Sequence, residues 1–185
     1  MDQIGELTTE TAAAELGASP RSGNVDASES ATSAAQTEFI SFAIGDEQYG
    51  VDIMAVREIR EWTDVTHLPK QPDYVRGVLN LRGVIVPIID LRCRFGQGLT
   101  ETTPLHIMII VQIGSRQIGL LADRVLDIVS VDAEQIQPVP YTAKTTSSDF
   151  LSGLVTLDDA MIAMIDLKEL LSQPVDGVGS ALPIA

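Results

Sequence analysis

The sequence predicts a mainly β protein: two small closed barrels packed against each other through apolar surface, with only short helices. Three observations carry this. Hydrophobic residues make up 45% of the 185-residue chain and aromatics only 4%, so the core is Val, Ile and Leu, which suit the faces of pleated strands. A pattern of glycine and apolar positions occurs twice, about 70 residues apart. Turn signals break each copy into short runs, which favours a closed barrel, since closure removes unpaired edges.

The elements follow in order. Phe39–Ile44 alternates, with Ile40, Phe42 and Ile44 on one face of a strand. Gly45-Asp46-Glu47 reads as a turn and Gln48–Val51 as the returning strand of a hairpin. In Asp52–Glu61 the spacing of Ile53, Val56 and Ile59 or Arg60 predicts a short amphipathic helix. Val84–Leu91 is an apolar strand in which Pro87, having no N–H to donate, marks an edge or a bulge. Asp90 and Asp166 precede short helices, Leu91–Phe95 and Leu167–Leu171, as N-caps, and Glu169 completes a capping box with Asp166.

The repeat aligns with two offsets. A shift of 69 carries Ile40, Phe42, Ile44, Gly45, Gln48, Gly50, Val51, Val56, Ile59 and Pro69 onto Ile109, Val111, Ile113, Gly114, Gln117, Gly119, Leu120, Val125, Ile128 and Pro138. A shift of 76 carries Tyr74, Gly77, Val78, Leu81, Val86, Ile89, Asp90 and Leu91 onto Phe150, Gly153, Leu154, Leu157, Ile162, Ile165, Asp166 and Leu167. The difference is a seven-residue insertion within Tyr141–Asp149, a polar stretch that reads as a longer loop. The copies run over roughly 38–96 and 106–172, inside a folded body of 37–173.

Residues 1–36 hold six acidic residues and one base, Arg21, with Pro20 and Gly23 as helix breakers; such a segment buries too little to offset its ordering entropy and is expected to be disordered. Residues 174–185 read as a second loose end. The N-terminus has no basic and apolar signal pattern, and the longest apolar runs, Ile107–Val111 and Ala160–Ile165, are too short to span a bilayer, so a cytoplasmic protein with no membrane insertion is expected. A formal net charge of −14 argues against nucleic acid as a partner.

No catalytic, metal or cofactor site is expected. His67 and His106 flank strands and have no ligand partner at metal spacing, so both read as surface histidines. Cys93 lies between Arg92 and Arg94, bases that would lower its pKa, but no nucleophile signature surrounds it and it fits a semi-buried structural cysteine. Phosphate-loop, dinucleotide and nucleophile-elbow motifs are absent. The informative positions are those where the copies part. Leu81-Arg82-Gly83-Val84 becomes Leu157-Asp158-Asp159-Ala160, and seven of the twelve basic residues lie between Arg57 and Arg94. Such charge asymmetry without a core role suits a docking face, though ordinary surface arginines produce it as well.

Phe39–Arg60 (FISFAIGDEQYGVDIMAVREIR), Arg76–Leu91 (RGVLNLRGVIVPIIDL), Gly119–Val129 (GLLADRVLDIV) and Ser152–Leu171 closely resemble the CheW family of bacterial chemotaxis coupling proteins. The string G-V-x-N-L-R-G-x-I-V-P-I-x-D-L is long and specific, and a looser form occurs in the regulatory domain of the kinase CheA and in CheV. The resemblance spans nearly all of the body and neither tail. It implies two SH3-like five-stranded barrels side by side. It also implies a non-enzymatic adaptor between chemoreceptor cytoplasmic tips and the CheA regulatory domain, monomeric alone and part of a large array at the inner face of the membrane. In the family a receptor helical hairpin lies in an apolar groove between the barrels. Ile53, Val56, Ile107 and Val125 match the groove positions, and each equally fits plain core. Glu58 and Arg82 match polar positions of receptor coupling, and Arg76 and Gly77 fall in a stretch tied to kinase association. A CheA scaffold in another pathway, such as surface sensing, is the alternative.

Overall fold

The computed structural model describes residues 36–140, 148–157 and 160–172. The expected tails, most of the loop at Tyr141–Asp149 and the Asp158-Asp159 turn lie outside these residues.

Ten strands and two short helices are formed among them. The first copy supplies β1 (Gln36–Ile44), β2 (Glu47–Asp52), β3 (Val56–Glu61), β4 (Val75–Leu81), β5 (Val84–Asp90) and α1 (Leu91–Arg94). The second supplies β6 (Ile107–Ile113), β7 (Arg116–Ala122), β8 (Arg124–Asp132), β9 (Leu151–Leu157), β10 (Ala160–Ile165) and α2 (Leu167–Ser172). They make two five-stranded sheets, β8-β1-β2-β10-β9 and β3-β6-β7-β5-β4. The mainly β, double-barrel expectation holds.

One repeat per barrel does not hold. The opening hairpin of each copy joins the last three strands of the other, so every barrel draws on both copies. The exchange creates the two parallel contacts, β2 on β10 and β5 on β7. At both, a glycine lets the neighbouring side chain lie against the backbone: a Cβ on Gly119 would meet Ile88 Cδ1, and one on Gly50 would stand 3.0 Å from Met164 Sδ. Ile88 and Met164 are related by the shift of 76, so the packing repeats as the sequence does.

Closure repeats too. In each sheet the segment that follows one end strand, β3 or β8, makes one isolated bridge to the strand at the other end, β4 or β9. Thr66 and Val78 exchange two N–H to O=C bonds of 2.9 Å, and Gln137 and Leu154 exchange two of 2.8 Å. Gly77 and Gly153 sit beside these bridges. Gly77 has φ +145°, and a Cβ there would meet the Thr66 carbonyl; at Gly153 it would stand 2.9 Å from the Gln137 carbonyl. Only glycine lets the closing segment come this near.

The main core lies between the sheets. A cluster of 17 buried residues draws on both, including Ile40, Phe42, Val51, Ile109, Val111 and Leu120, whereas the two barrel interiors hold clusters of six and five. At about 1.5–3 kcal/mol per buried large apolar side chain, most of the hydrophobic stabilisation sits in this seam. Four aromatics gather there as well: Tyr49 stacks on Phe95 at 4.9 Å, and Phe42 and Phe150 flank them. Arg94 lies over Tyr74 and Phe150, at 4.2 and 4.5 Å from the ring centroids, and those two rings occupy equivalent positions in the copies.

Three local expectations are corrected. Asp52–Glu61 is not a helix but one 3-10 turn, Ile53–Ala55, followed by β3. A bulge between Val56 and Glu58 adds Arg57 to β3 and breaks the period of two, which is why the apolar spacing mimics a helix. Pro87 stands in an interior strand, but β5 meets β7 only from Ile88 onward, so its first half has one neighbour and needs no N–H there. Asp166 does cap α2, accepting from the Lys168 and Glu169 amides at 2.8 and 3.1 Å. Its own N–H goes to the Phe150 carbonyl and Glu169 accepts from Ser172, so no capping box forms.

Candidate functional site

The β4–β5 hairpin presents Arg82 on a two-residue turn. Arg82 and Gly83 both have positive φ, 52° and 90°, and Asn80 Oδ1 accepts the Gly83 N–H at 2.8 Å. This backbone twist suits a tight hairpin but disfavours a residue with a Cβ. The side chain of Arg82 is 86% exposed, and its guanidinium stands 3.6 Å from the Glu58 carboxylate on β3. Glu58 also faces Arg60 at 3.9 Å. Around this pair a shallow depression is lined by Arg57, Glu58, Leu81, Arg82, Val84 and Ile110.

Ile53, Val56, Ile107 and Val125 are each half-buried and pack against the central cluster. They are margins of the inter-barrel seam rather than deep core. Val56 and Val125 are repeat equivalents on β3 and β8. On β3, Val56 and Glu58 flank the bulge, so the apolar seam and the ionic hairpin meet along one strand.

Arg76 and Gly77 form no open surface. Arg76, 19% exposed, points to Asp90 at 3.6 Å, and Gly77 backs onto the closing bridge. Asp90 is fully buried and well partnered: it accepts from the Cys93 amide at 3.1 Å, the Thr100 amide at 2.8 Å and the Thr100 hydroxyl at 2.7 Å. Its copy Asp166 is half-buried, so one sequence pair has separate duties.

The residues of doubtful chemistry also have structural roles. His106 is not a surface histidine: its side chain is 16% exposed, Nδ1 accepts the Thr103 N–H at 3.0 Å, and Nε2 faces Asp123 at 3.5 Å. Asp123 further accepts from Arg92 at 2.6 Å and from the Gly45 amide at 2.7 Å. It thereby ties the β1–β2 turn to α1 and to the start of β6, a hub with no repeat counterpart, Met54 standing at the equivalent position. Cys93 has its pKa raised, by burial first and then by Asp90 and Asp73, against an opposing effect of Arg76. Arg92 and Arg94 are engaged elsewhere, so the expected lowering does not occur. His67 is exposed. Sequence reasoning counted Arg57 only within the basic stretch and passed over Asp123. Their signals were a bulge and a long-range hub, neither of which periodicity reveals.

A double SH3-like barrel with an apolar seam and an ionic hairpin at its margin defines a scaffold of the adaptor class, built around contact surfaces. Residues 38–175 match the model of the CheW-like domain. The chain belongs to the CheW-like family, a family of non-enzymatic scaffolds. It is 44% identical over 135 residues to the chemotaxis protein CheW of Klebsiella aerogenes, covering 73% of this chain and 81% of that one. It is 44% identical over 130 residues to the CheW of Rhizobium meliloti, covering 70% and 84%. The scaffolding protein TtCheW of Thermoanaerobacter tengcongensis superposes with a TM-score of 0.66 at 35% identity, over 73% of this chain and 87% of that one. No helix among the described residues is long and apolar enough to cross a membrane.

Proposed function

We propose that this chain couples the cytoplasmic tips of chemoreceptors to a CheA-type histidine kinase and supports receptor control of kinase activity. The observation that carries the reading is the meeting on β3 of the apolar seam margin, at Val56, with the Glu58–Arg82 pair. A helical hairpin set into that margin buries apolar side chains on Ile53, Val56, Ile107 and Val125 and meets charge at its edge. Arg76 and Gly77 act on kinase association indirectly, by holding β4 in the closed barrel. The protein works in the cytoplasm as a monomer recruited to arrays, where multiplicity makes modest pairwise affinity sufficient.

Binding of the purified chain to a receptor cytoplasmic fragment and, separately, to the CheA regulatory domain tests this. Both are expected to bind, and Arg82→Glu is expected to abolish receptor-dependent kinase control while the protein stays folded. Binding to neither partner, or full control with Arg82→Glu, overturns the reading.

A further inference from the structure

The depression beside Arg82 is locally cationic on an acidic chain. Arg57 and Arg82 line it with one carboxylate, Glu58, which also faces Arg60 from outside the depression. Arg60 and Arg82 both face Glu58, whereas Arg57 Nε, among the described residues, donates to the neutral Gln112 amide oxygen at 2.7 Å. Arg57 is the extra residue of the β3 bulge, a feature that re-aims a side chain out of the alternating pattern. The apolar floor, Leu81 and Ile110, and the exposed Val84 complete the site. The other copy gives the comparison. Its bulge, between Ser41 and Phe42 on β1 against β8, leaves Leu126 as the extra residue. The equivalents of Glu58, Arg60 and Val84 are Asp127, Val129 and Ala160, so no cation occurs among those described positions. At these described positions the cations therefore occur in only one of the two copies of a chain carrying −14.

We infer that Arg57 is a specificity-determining residue: it takes a carboxylate presented by the receptor-tip helix next to apolar side chains that lie on Val84. This rests on the coupling reading above. The partner chemistry follows from charge complementarity, since a cation with a neutral partner at the rim of an apolar depression selects an acidic helix and rejects a basic one.

The test measures binding of the full chain to a chemoreceptor cytoplasmic fragment at several salt concentrations, with the CheA regulatory domain as a second partner. Arg57→Gln is expected to raise the receptor Kd roughly three- to tenfold, mainly through slower association, and to flatten its salt dependence. Arg57→Lys is expected to keep most of the affinity, and kinase binding is expected to be unmoved. An unchanged Kd and salt slope with Arg57→Gln overturns this inference and leaves the coupling reading standing. Equal weakening toward both partners also overturns it, as that marks a general structural role. Failure of the unaltered chain to bind the receptor overturns both.

Discussion

Replacing Gly77 by Ala should open one barrel. The added Cβ would collide with the Thr66 carbonyl, a backbone atom that cannot swing aside, at a residue whose φ is +145°. The strain of such a backbone on an L-residue costs about 1–3 kcal/mol. Relieving the collision separates Thr66 from Val78 and loses two hydrogen bonds, at roughly 0.5–1.5 kcal/mol each. Together these amount to about 2–6 kcal/mol, a large share of the 5–15 typical of a domain. The corresponding drop in melting temperature is on the order of 10 °C. Gly153→Ala provides the internal control. Its φ is not positive, so the backbone strain is absent, but a Cβ there still meets Ile136 Cγ2 and stands 2.9 Å from the Gln137 carbonyl, so about half the cost is expected. Urea denaturation gives both values, and hydrogen exchange at the Thr66 and Val78 amides reports the bridge itself. Gly77→Ala within about 0.5 kcal/mol of the unaltered protein, or costing less than Gly153→Ala, would refute the closure account.

The two capping aspartates should also differ. Asp90→Ala is expected to cost about 3–5 kcal/mol in urea unfolding, because it strands Arg76 and leaves Thr100 without a partner, whereas Asp166→Ala removes a half-exposed cap and costs about 1. Arg82→Gly should leave stability within about 0.5 kcal/mol, since the gain from the left-handed turn offsets the entropy of glycine, while coupling is lost; a denaturation curve beside a kinase-control assay checks both. Cys93 should react slowly with thiol reagents near neutral pH. Its raised folded pKa means the stability tied to the protonated thiol is complete below about pH 8.5 and is lost as pH rises; Cys93→Ser should remove that part of the alkaline decline in a pH series of melts.

The repeat was legible because it is written in residues with one physical job each. Gly50 and Gly119 admit a neighbouring side chain at the parallel contacts, and Asp90 and Asp166 start helices while their amides bond to the Tyr74 and Phe150 carbonyls. Equivalence between copies says which positions correspond but not which strands pair, so the exchange of hairpins was invisible. The helix expected at Asp52–Glu61 failed because a 3-10 turn and a bulge together imitate its period. At the candidate site, the Glu58–Arg82 pairing follows from bringing β3 beside a hairpin distant in sequence. The half-burial of Ile53, Val56, Ile107 and Val125 lies between the two roles their apolar character allows, and only the seam decides it.

The exchanged hairpins have a consequence for how the molecule comes into being. Neither barrel can be completed from the first copy alone: β3, β4 and β5 wait for β6 and β7, and β1 and β2 wait for β8, β9 and β10. The first half of the chain thus leaves the ribosome with an apolar hairpin and no sheet to join. Cutting between the copies yields two fragments that lack two or three strands of every barrel, not two small proteins. The high sequence separation of these contacts calls for slow folding and long exposure of strand edges to chaperones. In return, the finished protein has no interlobe linker to bend: a load applied to one barrel passes to the other through continuous backbone.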